Sequence, residues 1–553
     1  MDTPTKANGS DLTGHTVDAN ESDSLKQVGY PSAAPPGSTP SESPEAKFTI
    51  YVFATTLVAA GAGLLFGFDN GIIGGVTGTS EFQRKFLPDV YRVNFLEGGD
   101  VGNYCKFDSQ ILQLFVSVLY LAAAVIAPLA GVIANWRGRQ ICLLTSGCLF
   151  GIGIILLATA QNVAMVVLGR ILMGGGVGFA NSSSTLYIVE VAPPRLRGGL
   201  GIMFQLVQTL GILIAYVYNY AFDTIDWGWR LSIALGGVFA ALVVIGALVL
   251  PDTPISLLNR GRPEDARRVL ERVRGTANVD AEFQEMTEIV TASKKVPNSF
   301  KSLLFNPRYR PQLAVVIAMP IFQQWTGINA VIFYTPQIFS YVSHSKGLED
   351  TVVVGAVNVA ATLVSTFTVD RFGRKFLFTE GGLQMAVCMI IIAATLGTEY
   401  GMHPNGRLPE PVSRGLLAVF CTFAAGYAWS FGPLPWLLPS EVQPLETRAA
   451  AASVNTTLNM LMTFVVAQTF QDQLCAERWG VFAFFAGLEL LFVVLILFFL
   501  PETKGKSMDQ IAVSFGDHWF WGKLKGVRTF KEERYEAAKN APAGAKQTTI
   551  VAH

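Results

Sequence analysis

The sequence predicts an all-α membrane protein of twelve transmembrane helices arranged as two six-helix halves. Three observations carry this reading. Of 553 residues, 51% are hydrophobic and only 15% are charged, and the mean hydropathy of +0.40 is too high for a soluble chain of this length. Apolar stretches able to cross a bilayer, about 20 residues each, recur along the chain. The hydrophilic stretch 251–310 divides them six and six, and short motifs at the ends of the first six spans return in the second six.

Taken in order, residues 1–46 are polar and carry Pro31-Ser-Ala-Ala-Pro-Pro-Gly-Ser-Thr-Pro40. Such a segment cannot bury enough apolar surface to order itself and reads as a disordered tail. It has no basic stretch followed by a short apolar core, so the first span is expected to do the targeting. The N-terminal half covers 47–250, with spans near 48–74, 111–134, 141–160, 163–189, 199–221 and 230–250. Within it, the outer loop 76–110 carries Phe82, Phe86, Tyr91 and Phe95 at near-helical spacing and reads as a helical lid. Residues 251–310 read as short amphipathic helices. The C-terminal half covers 311–500, with spans near 311–340, 351–369, 376–396, 413–438, 449–471 and 479–500, and 501–553 form a second tail.

Orientation follows from the loops that hold Lys and Arg. Arg137, Arg139, Arg195, Arg197, the central linker, Arg371, Arg374, Lys375 and Arg448 fall on one side, which makes that side cytoplasmic and places both termini there. Asn8-Gly-Ser and Asn20-Glu-Ser match the glycosylation pattern, but this orientation keeps them in the cytosol. Lys+Arg and Asp+Glu are equal at 41 each, so no charge excess points to nucleic acid. The six cysteines form no Cys-x-x-Cys pair and no cluster at metal-ligand spacing, so no zinc site is expected.

The repeats have a fixed order. Asn135-Trp-Arg-Gly138-Arg139 after the second span matches Asp370-Arg-Phe-Gly373-Arg374 after the eighth. Glu190 and Arg197 after the fourth match Glu441 and Arg448 after the tenth, and Leu250-Pro-Asp-Thr253 after the sixth matches Leu500-Pro-Glu-Thr503 after the twelfth. Parallel six-span repeats are a transporter architecture, with the substrate site at the repeat interface.

Two charges lie inside spans. Asp69 sits in Gly61-Ala-Gly-Leu-Leu-Phe-Gly-Phe-Asp69-Asn-Gly-Ile-Ile-Gly-Gly75. A carboxylate near mid-membrane costs about 2.5–3.5 kcal/mol on insertion scales, so it is neutralised, paired, or turned toward water. A simple helix cap at the outer mouth is the plainer alternative. The glycines allow close helix packing and local unwinding. Arg170, in the fourth span, lies deep enough to need a counter-charge, and Asp69 is the natural one; snorkelling to the interface is its alternative. An arginine held against a carboxylate favours its charged form, and withdrawing it in a buried site favours the proton, so such a pair can switch proton affinity.

The Gly-Arg loops, the Glu-x6-Arg pairs, the Pro-Glu-Thr-Lys-Gly505 ending and Gln323-Gln-Trp-Thr-Gly-Ile-Asn329 resemble the sugar-porter branch of the major facilitator superfamily. The stretches Cys105-Lys-Phe-Asp-Ser-Gln-Ile-Leu-Gln-Leu-Phe115, Leu168-Gly-Arg170, Gly432-Pro-Leu-Pro-Trp-Leu-Leu-Pro-Ser-Glu441 and His518-Trp-Phe-Trp521 are similar to plant and green-algal hexose/proton symporters, and the likeness spans roughly 46–525. The resemblance implies the major facilitator fold, a monosaccharide substrate imported by alternating access, and Asp69 with Arg170 as the proton-coupling pair.

A hexose offers hydroxyls and one apolar face, so its site needs amides that donate and accept, plus an aromatic plane. Gln205, Gln323, Gln324, Asn329, Asn358 and Asn459 are amides inside apolar spans that match the family's sugar-binding positions, and Trp436 follows Pro433 and Pro435 where a broken helix could present its indole. Any single amide could equally make an interhelical hydrogen bond. Gln208, Asn219 and Asn455 match no sugar-contacting position and are assigned to packing.

Arg137, Arg139, Glu190, Arg197, Asp370, Arg371, Arg374, Glu441 and Arg448 resemble the family's cytoplasmic salt-bridge latch, which ties the inner ends of the halves together; Asn135 replaces the usual acid, which weakens that half of the latch. Cys105 and Cys475 fall outside the spans on the outer face, where they are either paired or free thiols, and Cys142, Cys148, Cys388 and Cys421 fall in apolar helices. The resemblance implies a Cys105–Cys475 disulfide tying the lid to the second half.

These readings converge on a proton-coupled hexose symporter of the plasma membrane, acting as a monomer in the lipid bilayer, with the proton as coupling ion and no cofactor. An uncoupled facilitator with the same site and a non-transporting sugar receptor are the alternatives. The receptor reading is the weaker, because the tail after 501 is short and both coupling residues are present. No nucleophile, base and orienting group converge as an enzyme would need.

Overall fold

The computed structural model describes residues 49–96, 105, 109–193, 197–294, 299–342, 347–402, 408–506, 508–524 and 527. The expected tail 1–46 and nearly all of the second tail beyond 524 lie outside the described residues. Twelve segments among the described residues are long and apolar enough to cross a membrane. The N-terminal half comprises Ile50–Gly78, Gln110–Arg137, Arg139–Ala158, Val163–Val191, Arg197–Phe222 and Gly228–Val249. In the C-terminal half, the eighth, ninth, eleventh and twelfth spans are Leu348–Phe372, Arg374–Met402, Leu445–Glu477 and Gly480–Phe499.

The seventh and tenth spans are each two helices. The tenth breaks between Glu410–Trp429 and Leu434–Val442, where Pro433 and Pro435 lack the amide hydrogens a continuous helix would use. The seventh breaks between Arg310–Gln324 and Ile328–Val342, which the sequence reading took as one span. Gly327 turns the chain there at φ +80°, and a Cβ on it would meet the Phe485 ring at 2.9 Å.

The halves meet where the second span packs on the eleventh and the fifth on the eighth. Inside the N-terminal half, Gly63, Gly67 and Gly71 let the first span touch the fifth; a Cβ at Gly67 would stand 1.9 Å from the Gln208 carbonyl oxygen. The first span is continuous, so its glycines here serve contact and the expected local unwinding is not seen.

The repeated motifs do the same work twice. Gly138 (φ 99°, ψ 165°) and Gly373 (φ 90°, ψ 163°) turn the second into the third span and the eighth into the ninth, a backbone region essentially reserved for glycine. In the first half, the Asp252 carboxylate accepts the Arg139 amide at 3.1 Å; in the second, Glu502 accepts the Arg374 and Lys375 amides at 3.2 Å each. Each acid thereby satisfies donors that a helix start leaves open.

Peripheral segments pack on this frame. The linker forms helices Pro254–Asn259, Pro263–Arg274, Asp280–Lys294 and Ser299–Phe305. Arg274 in the linker bonds the Val191 carbonyl at 3.1 Å and pairs with Glu282 at 2.6 Å. Past the first span, Ser80–Phe86 and Pro88–Tyr91 are helical, and Phe82 and Phe86 pack on Trp229, with Phe82 also on Phe115. The lid therefore rests on its own half, and Cys105, bonded to Cys475, ties it to the other. After the twelfth span, the helix Met508–Asp517 buries Ile511 and Phe515. Trp519 and Trp521 then donate to the Phe498 and Phe499 carbonyls at 3.1 and 2.7 Å.

Candidate functional site

Gln205, Gln323, Gln324, Asn329, Asn358, Trp436 and Asn459 all line one narrow cavity between the halves. Both helix breaks open onto it. Gln323 donates through Nε2 to the Phe431 and Gly432 carbonyls at 2.8 Å each, groups freed by the interruption of the tenth span. Gln324 Nε2 donates to Asn459 Oδ1 at 3.2 Å, Asn459 donates to Gln323, and Asn329 donates to Gln324. These four amides of the seventh and eleventh spans thus form a mutually bonded cluster.

Other acceptors on the cavity are open. Gln205 Oε1, Gln208 Oε1 and Asn358 Oδ1 are buried and have no hydrogen-bond partner among the described residues. A buried acceptor left unpaired costs about 1–3 kcal/mol, which three of them on one cavity make a standing demand for donors. Hydroxyls meet that demand while also accepting from amide NH2 groups. Trp436 is 7% exposed, lies 5.7 Å from the Phe204 ring, and also borders a second, inner cavity with Thr185, Ser440, Arg448 and Asn455.

The structure alters the amide assignments. Gln208, assigned to packing, lines the cavity, and Asn455 lines the inner one. Asn219 does pack, donating to the Gly71 and Ile72 carbonyls at 3.2 and 3.3 Å. Phe66, Asn70, Ile212, Ile332 and Tyr427 also line the cavity and were missed. Asn70 stands next to Asp69 in the stretch already singled out, which was the available signal; the others are ordinary span residues that only the fold could select.

Asp69 and Arg170 form an ion pair, and both side chains are 0% exposed. The arginine also donates Nε to the Phe115 carbonyl at 3.0 Å and Nη2 to the Val116 carbonyl at 3.1 Å, with the Phe115 ring 5.0 Å from its guanidinium carbon. Asp69 Oδ2 has no hydrogen-bond partner among the described residues. Tyr120 donates to Asn70 Oδ1 at 2.9 Å and stacks on Phe333 of the seventh span, centroids 5.7 Å apart. The pair therefore stands immediately behind the cavity wall that Asn70 contributes.

At the inner face, the charged residues gather as two clusters, each within one half. Arg139 pairs with Glu190 at 2.8 Å, and Thr253 donates to the same carboxylate. Arg374 pairs with Glu441 at 2.6 Å and with Asp370 at 3.0 Å, and Thr503 reaches Glu441 at 3.5 Å. Among the described residues these ion pairs bind neighbouring elements of one half, whereas the resemblance implies a latch across the halves; the Asp370 carboxylate also lies against Gly198 of the fifth span, where a Cβ would stand 2.5 Å from its oxygen. Arg137 and Arg371 stay outside the clusters, exposed over Trp136 and Phe372. Arg448 borders the inner cavity and bonds the Gln443 carbonyl, and the Arg197 side chain lies outside the described residues. The sequence reading missed Asp252, Thr253, Glu502 and Thr503 as members of these clusters, although their repetition was visible.

Twelve spans in two repeated halves, closed around a buried amide-rich cavity beside a buried ion pair, define a membrane transporter of a small polar solute. The chain belongs to the Sugar (and other) transporter family, whose pattern matches residues 55–515. It is 46% identical to sugar transport protein MST3 of Oryza sativa subsp. japonica, over 87% of this chain and 93% of that one. It is 44% identical to H(+)/hexose cotransporter 2 of Parachlorella kessleri, over 86% and 89%. The structure of the proton:xylose symporter XylE bound to 6-bromo-6-deoxy-D-glucose superposes with a TM-score of 0.71 at 27% identity, covering 84% of this chain and 99% of that one.

Proposed function

We propose that this protein is a proton-coupled hexose symporter of the plasma membrane, importing sugar by alternating access with both termini in the cytosol. The observation that carries the reading is the adjacency of a buried carboxylate–guanidinium pair to an amide-lined cavity through consecutive residues, Asp69 and Asn70. Relatives named as a sugar transport protein and an H(+)/hexose cotransporter support it. Gln205, Gln208 and Asn358 accept from sugar hydroxyls, the Gln323–Gln324–Asn459–Asn329 cluster exchanges bonds with them, and Trp436 covers the apolar ring face. Protonation of Asp69 releases Arg170 and favours the sugar-competent state; deprotonation toward the cytosol resets it. The coupling ion is the proton, no cofactor takes part, and one chain in the bilayer suffices. A proton moving through 100 mV contributes about 2.3 kcal/mol, enough for roughly fiftyfold accumulation.

The test is uptake of labelled glucose into proteoliposomes with and without an imposed pH gradient, for wild type and Asp69→Asn. Accumulation driven by the gradient in wild type, with exchange alone in the variant, is expected. Equal uptake in both conditions by wild type would make the protein a facilitator.

A further inference from the structure

The turn of the second span that Arg170 grips also carries the polar contacts that close the outer side. Gln113 and Ser117 are four residues apart on one helix face, as are Gln468 and Asp472 on the eleventh span. Gln113 Nε2 donates to Asp472 Oδ1 at 2.6 Å, Ser117 donates to Gln468 Oε1 at 2.6 Å, and Gln468 Nε2 donates to Gln113 Oε1 at 3.4 Å. Asp472 is exposed whereas Gln113 and Ser117 are 0% exposed, so these bonds run from the surface into the junction between the halves. Between them in sequence, Phe115 and Val116 offer their carbonyls to Arg170, the same guanidinium that holds Asp69.

We propose that Gln113, Ser117, Gln468 and Asp472 form an outer clasp whose closure sets Arg170 against Asp69 and whose opening withdraws it, making these four residues positioning residues for proton coupling. The proposal rests on the symport reading above. A single helical turn moves as a unit, because its own i→i+4 bonds are intact while both sets of contacts hang from it. Opening the outer side pulls this turn from the eleventh span and takes the arginine with it, freeing Asp69 to accept a proton from outside. Closing it returns the cation and favours proton release toward the cytosol. The Cys105–Cys475 bond, with Cα atoms 4.8 Å apart and one turn beyond Asp472, holds the outer ends together. The motion at the clasp is accordingly a local swing about a fixed tether. Arg170 from the fourth span and Tyr120 from the second are the charged and titratable groups that act on Asp69 among the described residues.

The experiment uses cells expressing the full chain with Ile212→Cys as a reporter in the cavity, labelled from outside by a membrane-impermeant maleimide and read by peptide mass spectrometry. Gln113→Leu should raise the labelling rate at least fivefold. Because a closed clasp favours the charged carboxylate, weakening it should also move the half-maximal pH of sugar uptake upward. Asp472→Asn keeps an acceptor oxygen for Gln113 and should stay near wild type in both readouts, whereas Asp472→Leu should match Gln113→Leu. Adding Asp69→Asn to Gln113→Leu should give no more labelling than the larger single effect, since both act through one turn. If Gln113→Leu does not reach the surface, Ser117→Ala breaks the second bond of the clasp. The proposal is overturned by unchanged labelling and pH dependence in clasp variants that are at the surface, or by effects of Gln113→Leu and Asp69→Asn that multiply. Should wild type show no gradient-driven uptake, the symport reading falls and the coupling role with it, while increased labelling alone would leave the clasp as an outer gate.

Discussion

Asp252 and Glu502 occupy the same place in the two halves: each accepts the backbone amide of the arginine that opens the next helix, Arg139 at 3.1 Å and Arg374 at 3.2 Å. The same two arginines then reach Glu190 and Glu441. Each half thus gathers an arginine, two acids and a threonine at this end, to which the first half adds Arg260 on Asp252 and the second adds Asp370 on Arg374.

The first of these clusters depends on a residue without a side chain. A Cβ on Gly138 would lie 1.9 Å from Asp252 Oδ2, in a backbone conformation that strains other residues by about 1–3 kcal/mol. Gly138→Ala should lower the thermal unfolding midpoint of the detergent-solubilised protein and reduce surface expression. Gly415→Ala, which meets nothing within 4 Å, should do neither.

Amides on the cavity should separate from amides that pack. Gln205→Ala, Gln208→Ala, Gln324→Ala and Trp436→Ala should each raise the half-saturating sugar concentration about five- to hundredfold, the equivalent of roughly 1–3 kcal/mol for a lost buried contact, with near-normal expression. Asn219→Ala should instead cost expression and leave affinity within about twofold, because its two bonds hold the first span. Unchanged affinity in all four cavity variants would place the sugar elsewhere.

The outer tie is directly measurable. Non-reducing peptide mapping should recover Cys105 joined to Cys475, while Cys142, Cys148, Cys388 and Cys421 are recovered as thiols. Alkylation of both outer cysteines in surface-exposed protein would contradict the bond.

After the twelfth span, burial holds the His518 imidazole below its ordinary value, nearby Lys375 adds to this, and a bond to the Phe498 carbonyl opposes it. The folded tail therefore prefers the neutral ring, which accepts the Phe520 amide at 3.3 Å. Its contribution is complete above the unfolded histidine value of about 6.5 and is lost as pH falls through the lowered folded value. Hydrogen exchange over 508–524 should rise on acidification below about pH 6.5 in wild type, and His518→Gln should flatten that dependence. Equal pH dependence in both would remove His518 as its cause.

Much of this architecture was legible beforehand because a bilayer is a demanding solvent. Backbone groups must bond within a helix, so twelve apolar stretches could only be helices. A charge inside one had to find a partner, which drew attention to Asp69 and Arg170. The amides stood out for the same reason, each being expensive against lipid.

What the linear chain could not settle was direction around each helix and distance between helices. Gln208 and Gln205 sit three residues apart on the fifth span, and only the packing of that span on the first and eighth turns both toward the cavity while Asn219 turns to the first span's carbonyls. The break at Gly327 was hidden because a single glycine in an apolar run is compatible with an unbroken helix. The inner charges were read as a tie between halves, yet the ion pairs Arg139–Glu190, Arg374–Glu441 and Arg374–Asp370 each join elements of one half. The sequence by itself determined the twelve spans, their repetition and the residues too polar to lie idle in a membrane, since those follow from transfer energies counted along the chain. Tertiary structure alone decided which of these residues face one cavity, which arginine holds which carbonyl and how the second span's outer turn joins the proton site to the opposite half, because each is a matter of hydrogen-bond geometry over a few ångströms between segments hundreds of residues apart.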